Sequence, residues 1–290
     1  MSDHPAQDDP SIDLPGQDVT PLQGEFVPPR ERPPGELTPV LALAGCSFGG
    51  ALGLLVTGVL TVALGLSATD GASLIFVALA LQPPLLLGMM FVLLAGRVPL
   101  RVGLAWRRVP WLTLLLAPIG LLGASLVGDW LATTVWHATG QQSGALQMIA
   151  QALRSVPPGW RVAAVLGISL MPGLCEEAAF RGLLQGGLQR YGRLVALLVP
   201  ALAFGLFHGD KVQGTGALVL GLFLGELRYR SGSIVPGVVA HAANNLVAGT
   251  AMLWASEAQV DTMKAAPPAA VAVGLLVAVV CLVGTRRSES

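Results

Sequence analysis

The sequence predicts an all-α fold, a polytopic transmembrane helical bundle of about eight spans behind a disordered N-terminal tail. Three observations predict it. Hydrophobic residues are 53% of the 290-residue chain and charged residues 12%, with a mean hydropathy of +0.67, where a soluble domain carries about 25% charge. The charge is also unevenly placed, because eight of the 17 acidic residues fall within the first 36 positions. Beyond Pro39, apolar segments of spanning length then follow one another, divided by short charged or Gly/Pro-rich connections.

Residues 1–36 hold eight prolines and eight acidic side chains with almost no apolar run. Such a stretch cannot bury enough surface to offset the entropy of ordering, so a disordered tail is expected. No basic start followed by a short apolar core suggests a signal peptide. The remainder, 37–290, reads as one transmembrane domain of eight segments: 39–66, 72–95, 110–131, 161–187, 194–208, 214–229, 233–254 and 267–284. Two depart from an ideal span of about 20 apolar residues. The fourth carries Glu176, Glu177 and Arg181, and the fifth is short. Runs this long and rich in Leu and Ala do not suit the alternating strands of about ten residues that build membrane barrels.

Arginine placement sets an expected orientation. With the tail in the cytoplasm, the inner ends receive Arg30, Arg32, Arg97, Arg101, Arg107, Arg108, Arg190, Arg193, Arg228, Arg230, Arg286 and Arg287, and Arg181 if it is not buried. The outer ends receive only Arg154, Arg161, Lys211 and Lys264. Both termini are therefore expected inside. The 15 Arg against two Lys hint at a GC-rich, bacterial genome, which would make the membrane the inner (plasma) membrane. Net charge is zero, so no field draws nucleic acid. Cys46, Cys175 and Cys281 are odd in number and lie in apolar stretches, which fits buried small hydrophobes rather than a disulfide scaffold.

An ionisable group inside a span costs about 2.5–3.5 kcal/mol on insertion scales and is a functional candidate by default. Few exist here. Glu176, Glu177 and Arg181 lie in the fourth segment, His208 ends the fifth, and His241 with Asn245 lies in the seventh. Glu177 and Arg181 are four apart and can pair on one helix face. Glu176 is rotated by about 100° and lacks that partner, the situation of a carboxyl suited to general acid–base work. His241 and Asn245 share a face and offer an imidazole and a neutral amide to one cavity. Glu176 could then take a proton from a water that His208 orients, while His241 and Asn245 stabilise an oxyanion on a carbonyl. That set is equipment for peptide-bond hydrolysis inside a membrane cavity.

Glu-Glu-x-x-x-Arg (176, 177, 181), Phe-x-x-x-His (204, 208) and His-x-x-x-Asn (241, 245) resemble the three signatures of the CPBP family of intramembrane proteases. That group includes CAAX-processing endopeptidases and their bacteriocin-processing and myxosortase-like relatives. The resemblance covers about 160–250. It implies glutamate-dependent hydrolysis with Glu176 as the base, Glu177 and Arg181 as support, and Phe204 as part of the second motif. It implies as substrate a membrane-anchored protein or peptide precursor, cut near its C-terminus. No cofactor is expected. The alternative is zinc held by His208, His241 and Glu176, although the chain has no His-Glu-x-x-His and Asn245 is a poor zinc ligand. A competing function is a non-catalytic membrane binding protein such as a bacteriocin-immunity factor; no repeat of two halves suggests a transporter.

Other polar and aromatic positions have plainer readings. Glu226 is placed to pair with Arg230, and Asp129 and His137 to bracket the outer end of the third segment. Trp106, Trp111, Trp130, Trp136, Trp160 and Trp254 fall near span ends as an aromatic belt. The glycines of 45–53 suit close helix packing.

Overall fold

The computed structural model describes residues 36–67, 70–140, 143–254 and 265–285. The tail expected to be disordered, apart from Glu36, and the end charges Arg30, Arg32, Lys264, Arg286 and Arg287 lie outside the described residues. Among the described residues every regular element is helical.

In chain order these are α1 (Pro39–Ala63), α2 (Gly71–Ala95), the short α3 (Leu100–Gly103), α4 (Trp111–Thr139), α5 (Gly144–Ser155) and α6 (Arg161–Glu176). A π-helix (Glu177–Leu184) and the short α7 (Gln185–Leu188) continue α6 directly. Then follow α8 (Arg193–Phe207), α9 (Lys211–Ser231), α10 (Val235–Trp254) and α11 (Pro268–Gly284). Each of the eight apolar segments is occupied by one long helical element. Four are long and apolar enough to cross a membrane: Pro39–Ala63, Gly71–Ala95, Trp111–Thr139 and the continuous Pro158–Tyr191. Arg193–Phe207 and Pro268–Gly284 are apolar but shorter. This is a helical protein with several membrane-crossing candidates.

The stretch between the third and fourth segments differs from expectation. α4 runs on to Thr139, and α5 fills what was read as a connection. α5 is amphipathic, burying Ala150 and Leu153 while Met148 stays exposed, a face set by the helical period. Polar side chains mark the starts: Thr38, Asp70, Ser143 and Asp210 each accept the N–H three residues on, at 2.8–3.2 Å. α4 and α9 end at Gly140 and Gly232 in the left-handed region that glycine adopts without penalty.

Helices meet through glycine, as expected where lipid removes the hydrophobic drive and close backbone contact takes its place. A Cβ on Gly88 of α2 would come within 2.6 Å of Gly49 Cα on α1, and one on Gly123 of α4 within 2.6 Å of the Gly274 carbonyl on α11. α8 and α9 approach the same way through Gly205 and Gly214. Large apolar side chains point outward instead: Leu54 is 69% and Val62 83% exposed. Trp106, Trp111, Trp130, Trp160 and Trp254, expected in an aromatic belt, are all exposed. Trp136 instead lines an internal cavity.

Candidate active site

Glu176 closes α6 and Glu177 opens the π-helix, so the two carboxylates sit at the seam between two helical periods. Pro172, one turn earlier, removes a backbone donor and weakens the α-helical ladder. π segments recur at functional sites, and this one was not read from the sequence, which predicted a plain helix over 161–187.

The expected Glu177–Arg181 pair is present, with Arg181 Nη1 donating to Glu177 Oε1 at 2.7 Å and both side chains buried. The pair does more than neutralise itself. His241 Nδ1 lies 3.1 Å from the same Oε1, and His241 Nε2 lies 3.8 Å from Glu176 Oε2. His241 therefore stands between the two glutamates, and Glu176, expected to point away without a partner, faces it. A carboxylate already accepting from Arg181 can only accept again, so His241 Nδ1 carries the hydrogen. Nε2 is left turned towards Glu176.

Glycine makes this convergence possible. A Cβ on Gly173 of α6 would meet Ala242 N at 3.0 Å, so α6 and α10 touch backbone to backbone beside Glu176 and His241. One turn before His241, a Cβ on Gly237 would lie 2.8 Å from Glu177 Oε2. That oxygen is buried with no hydrogen-bond partner among the described residues.

His208 caps α8, its Nδ1 donating to the Phe204 carbonyl at 2.8 Å, which leaves Nε2 free. Phe204, 1% exposed, organises the group. Its ring meets His208 edge-on at 5.0 Å and His241 at 5.7 Å, and the Arg181 guanidinium sits 4.4 Å over its centre. The sequence offered no physical role for Phe204; its position explains one.

A cavity of about 200 Å³ opens here, bounded by His208, His241 and Asn245 together with Asp129, Trp136 and Gln213. It has room for a handful of water molecules. Glu176 is not among its lining residues; His241, whose Nε2 lies 3.8 Å from Glu176 Oε2, is. α8 is 15 residues long, about 22 Å at 1.5 Å per residue, so it stops short of a hydrocarbon layer of about 30 Å. His208, just past its end, lines the same cavity as His241. Asp129, expected at the membrane interface, borders the cavity, and α5, which the sequence does not predict, contributes Leu146 and Gln147. Glu226 pairs with Arg230 as expected and also with Arg193, each at 2.6 Å.

Among the described residues no three His, Cys, Asp or Glu side chains form a group that could hold a metal ion.

A helical membrane protein whose buried carboxylates and imidazoles converge beside a cavity has the build of an intramembrane hydrolase. Comparison with known families agrees: residues 158–247 match the family model described as "Type II CAAX prenyl endopeptidase Rce1-like". That segment is similar to the Rce1-like CAAX endopeptidases, a group of intramembrane proteases. It contains every motif residue from Glu176 to Asn245. Neither the curated proteins nor the solved structures yield a match to the chain.

Proposed function

We propose that this chain hydrolyses a peptide bond near the C-terminus of a membrane-anchored protein or peptide precursor, in the plasma membrane, with both its termini in the cytoplasm. The observation that supports it best is His241 held between Glu176 and Glu177 at the wall of a cavity shared with His208 and Asn245.

In this mechanism Glu176 accepts a proton from a water positioned by His208 Nε2, and the water oxygen bonds to the scissile carbonyl carbon. The carbonyl oxygen becomes an oxyanion facing the Asn245 amide and, when the ring is charged, His241 Nε2–H. Glu177 fixes the His241 tautomer through Nδ1, and Arg181 fixes Glu177. The carbon–nitrogen bond then breaks as Glu176 returns its proton to the leaving amine, giving a carboxylic acid and an amine. Side chains carry every step.

Glu176→Gln keeps the shape and removes the base. Processing of a membrane substrate by this variant is expected to fall by about 10²–10⁴-fold, read as retention of the uncleaved C-terminus in membrane proteomes. Processing at the normal rate sinks the hydrolase reading and leaves the binding-protein alternative. Chelation of divalent metal is expected to leave cleavage unchanged.

A further inference from the structure

Five arginines lie within or on either side of α3 and at the end of α9: Arg97, Arg101, Arg107, Arg108 and Arg228. Among the described residues none of their side chains makes an ion pair or a hydrogen bond. The contrast is with Arg193 and Arg230, which share Glu226, and with Arg181, which holds Glu177. Arg228 is the most telling of the five, because its Nε is buried without a partner, and leaving a charged donor so is costly. Arg107 is near enough for its charge to repel that of Arg228.

The backbone holds these like charges together. Ser233 Oγ donates to the Arg107 carbonyl at 2.7 Å and accepts the Arg107 N–H at 3.2 Å, while Ile234 N–H donates to the Ala105 carbonyl at 3.1 Å. The segment ahead of α4 is thus pinned to the α9–α10 turn, a few residues past Arg228. Ala105 takes a left-handed φ of 50° to make that turn, a conformation uncommon outside glycine. Exposed Trp106 and Trp111 flank the spot, at the depth where aromatic rings meet lipid headgroups.

We propose that Arg107, Arg108 and Arg228 form a binding site for the phosphate of an anionic glycerophospholipid headgroup, at the membrane face where α4 begins and α9 ends. Guanidinium forks match phosphate oxygens in pairs, and basic pockets between membrane helices are suited to such headgroups. The phosphate supplies the countercharge that the described residues do not. Headgroup binding there does not depend on the proposed hydrolysis.

The test uses the full-length protein in neutral detergent, with its unfolding midpoint followed as phosphatidylglycerol, phosphatidylcholine or inorganic phosphate is added. At about a hundredfold excess over Kd, phosphatidylglycerol is expected to raise the midpoint by roughly 5 °C, with phosphatidylcholine and inorganic phosphate giving little. Arg228→Gln and Arg107→Gln should each lose most of that shift, and Arg228→Lys should keep part. Arg190→Gln, which removes one charge elsewhere, should keep all of it. Equal shifts in Arg107→Gln and Arg190→Gln, or a match by inorganic phosphate, overturn the proposal.

Discussion

Glu177 Oε1 accepts from Arg181 and from His241 at once, so a residue expected to be structural support also sets the tautomer of a candidate catalytic imidazole. Removing Arg181 leaves that carboxylate buried and half-neutralised. Arg181→Leu is expected to destabilise the protein by about 3–5 kcal/mol, and Arg181→Leu with Glu177→Gln to recover much of the loss, both read from unfolding midpoints in detergent. The ion pair was legible because its partners are four residues apart on one helix. The contact to His241, 64 positions away, had no such signal, since spacing within a helix says nothing about which other helix faces it. Asp70 shows a second local effect. Its carboxyl accepts from the Ser73 N–H and hydroxyl, which hold it below the ordinary value of 3.8. The sign follows: the cap is intact above 3.8 and is lost as pH falls through the lower folded value. Hydrogen exchange at the Ser73 amide should therefore quicken only at strongly acid pH.

At the scale of elements, neighbouring glycines on α1 separate packing from propensity. A Cβ on Gly49 would come within 2.5 Å of the Leu85 carbonyl, whereas one on Gly50 meets nothing within 4 Å. Gly49→Ala is expected to cost about 1–3 kcal/mol and Gly50→Ala to stabilise by roughly 0.5–1 kcal/mol, compared in one unfolding series. The eight long elements were readable because uninterrupted apolar runs in this chain have no alternative to helix. α5 was not read because its hydrophobic side chains are spaced out among polar ones, although Ser143 as a cap and the period of Leu146, Ile149 and Leu153 carried the signal. The π-helix left no readable trace: the charges Glu177 and Arg181 stand four apart, a spacing that suits an ordinary α-helix.

For the molecule as a whole, water and lipid should divide the surface in a way exposure alone does not reveal. Leu54 on α1 is far more exposed than the cavity wall at Gln213. In intact membranes, Gln213→Cys is expected to react with a water-soluble maleimide and Leu54→Cys to remain unlabelled. The opposite pattern argues against the cavity as the aqueous side. The short α8 was legible as a short segment; that its end lines one cavity with α10 was not, because spacing along the chain does not say which helices meet.

The seam after Glu176 also makes the protein forgiving of chain length at one spot. A π turn closes its backbone hydrogen bonds five residues on rather than four, so each such turn holds slack that an α-helix does not. Deleting one residue there, Ala178 for instance, lets the rod tighten into regular winding, and the slack takes up the loss so that everything downstream keeps its facing. Glu177 and Arg181 would then stand three apart and still share a face. The same deletion inside an unbroken α-helix such as α9 would turn everything beyond it by about 100°.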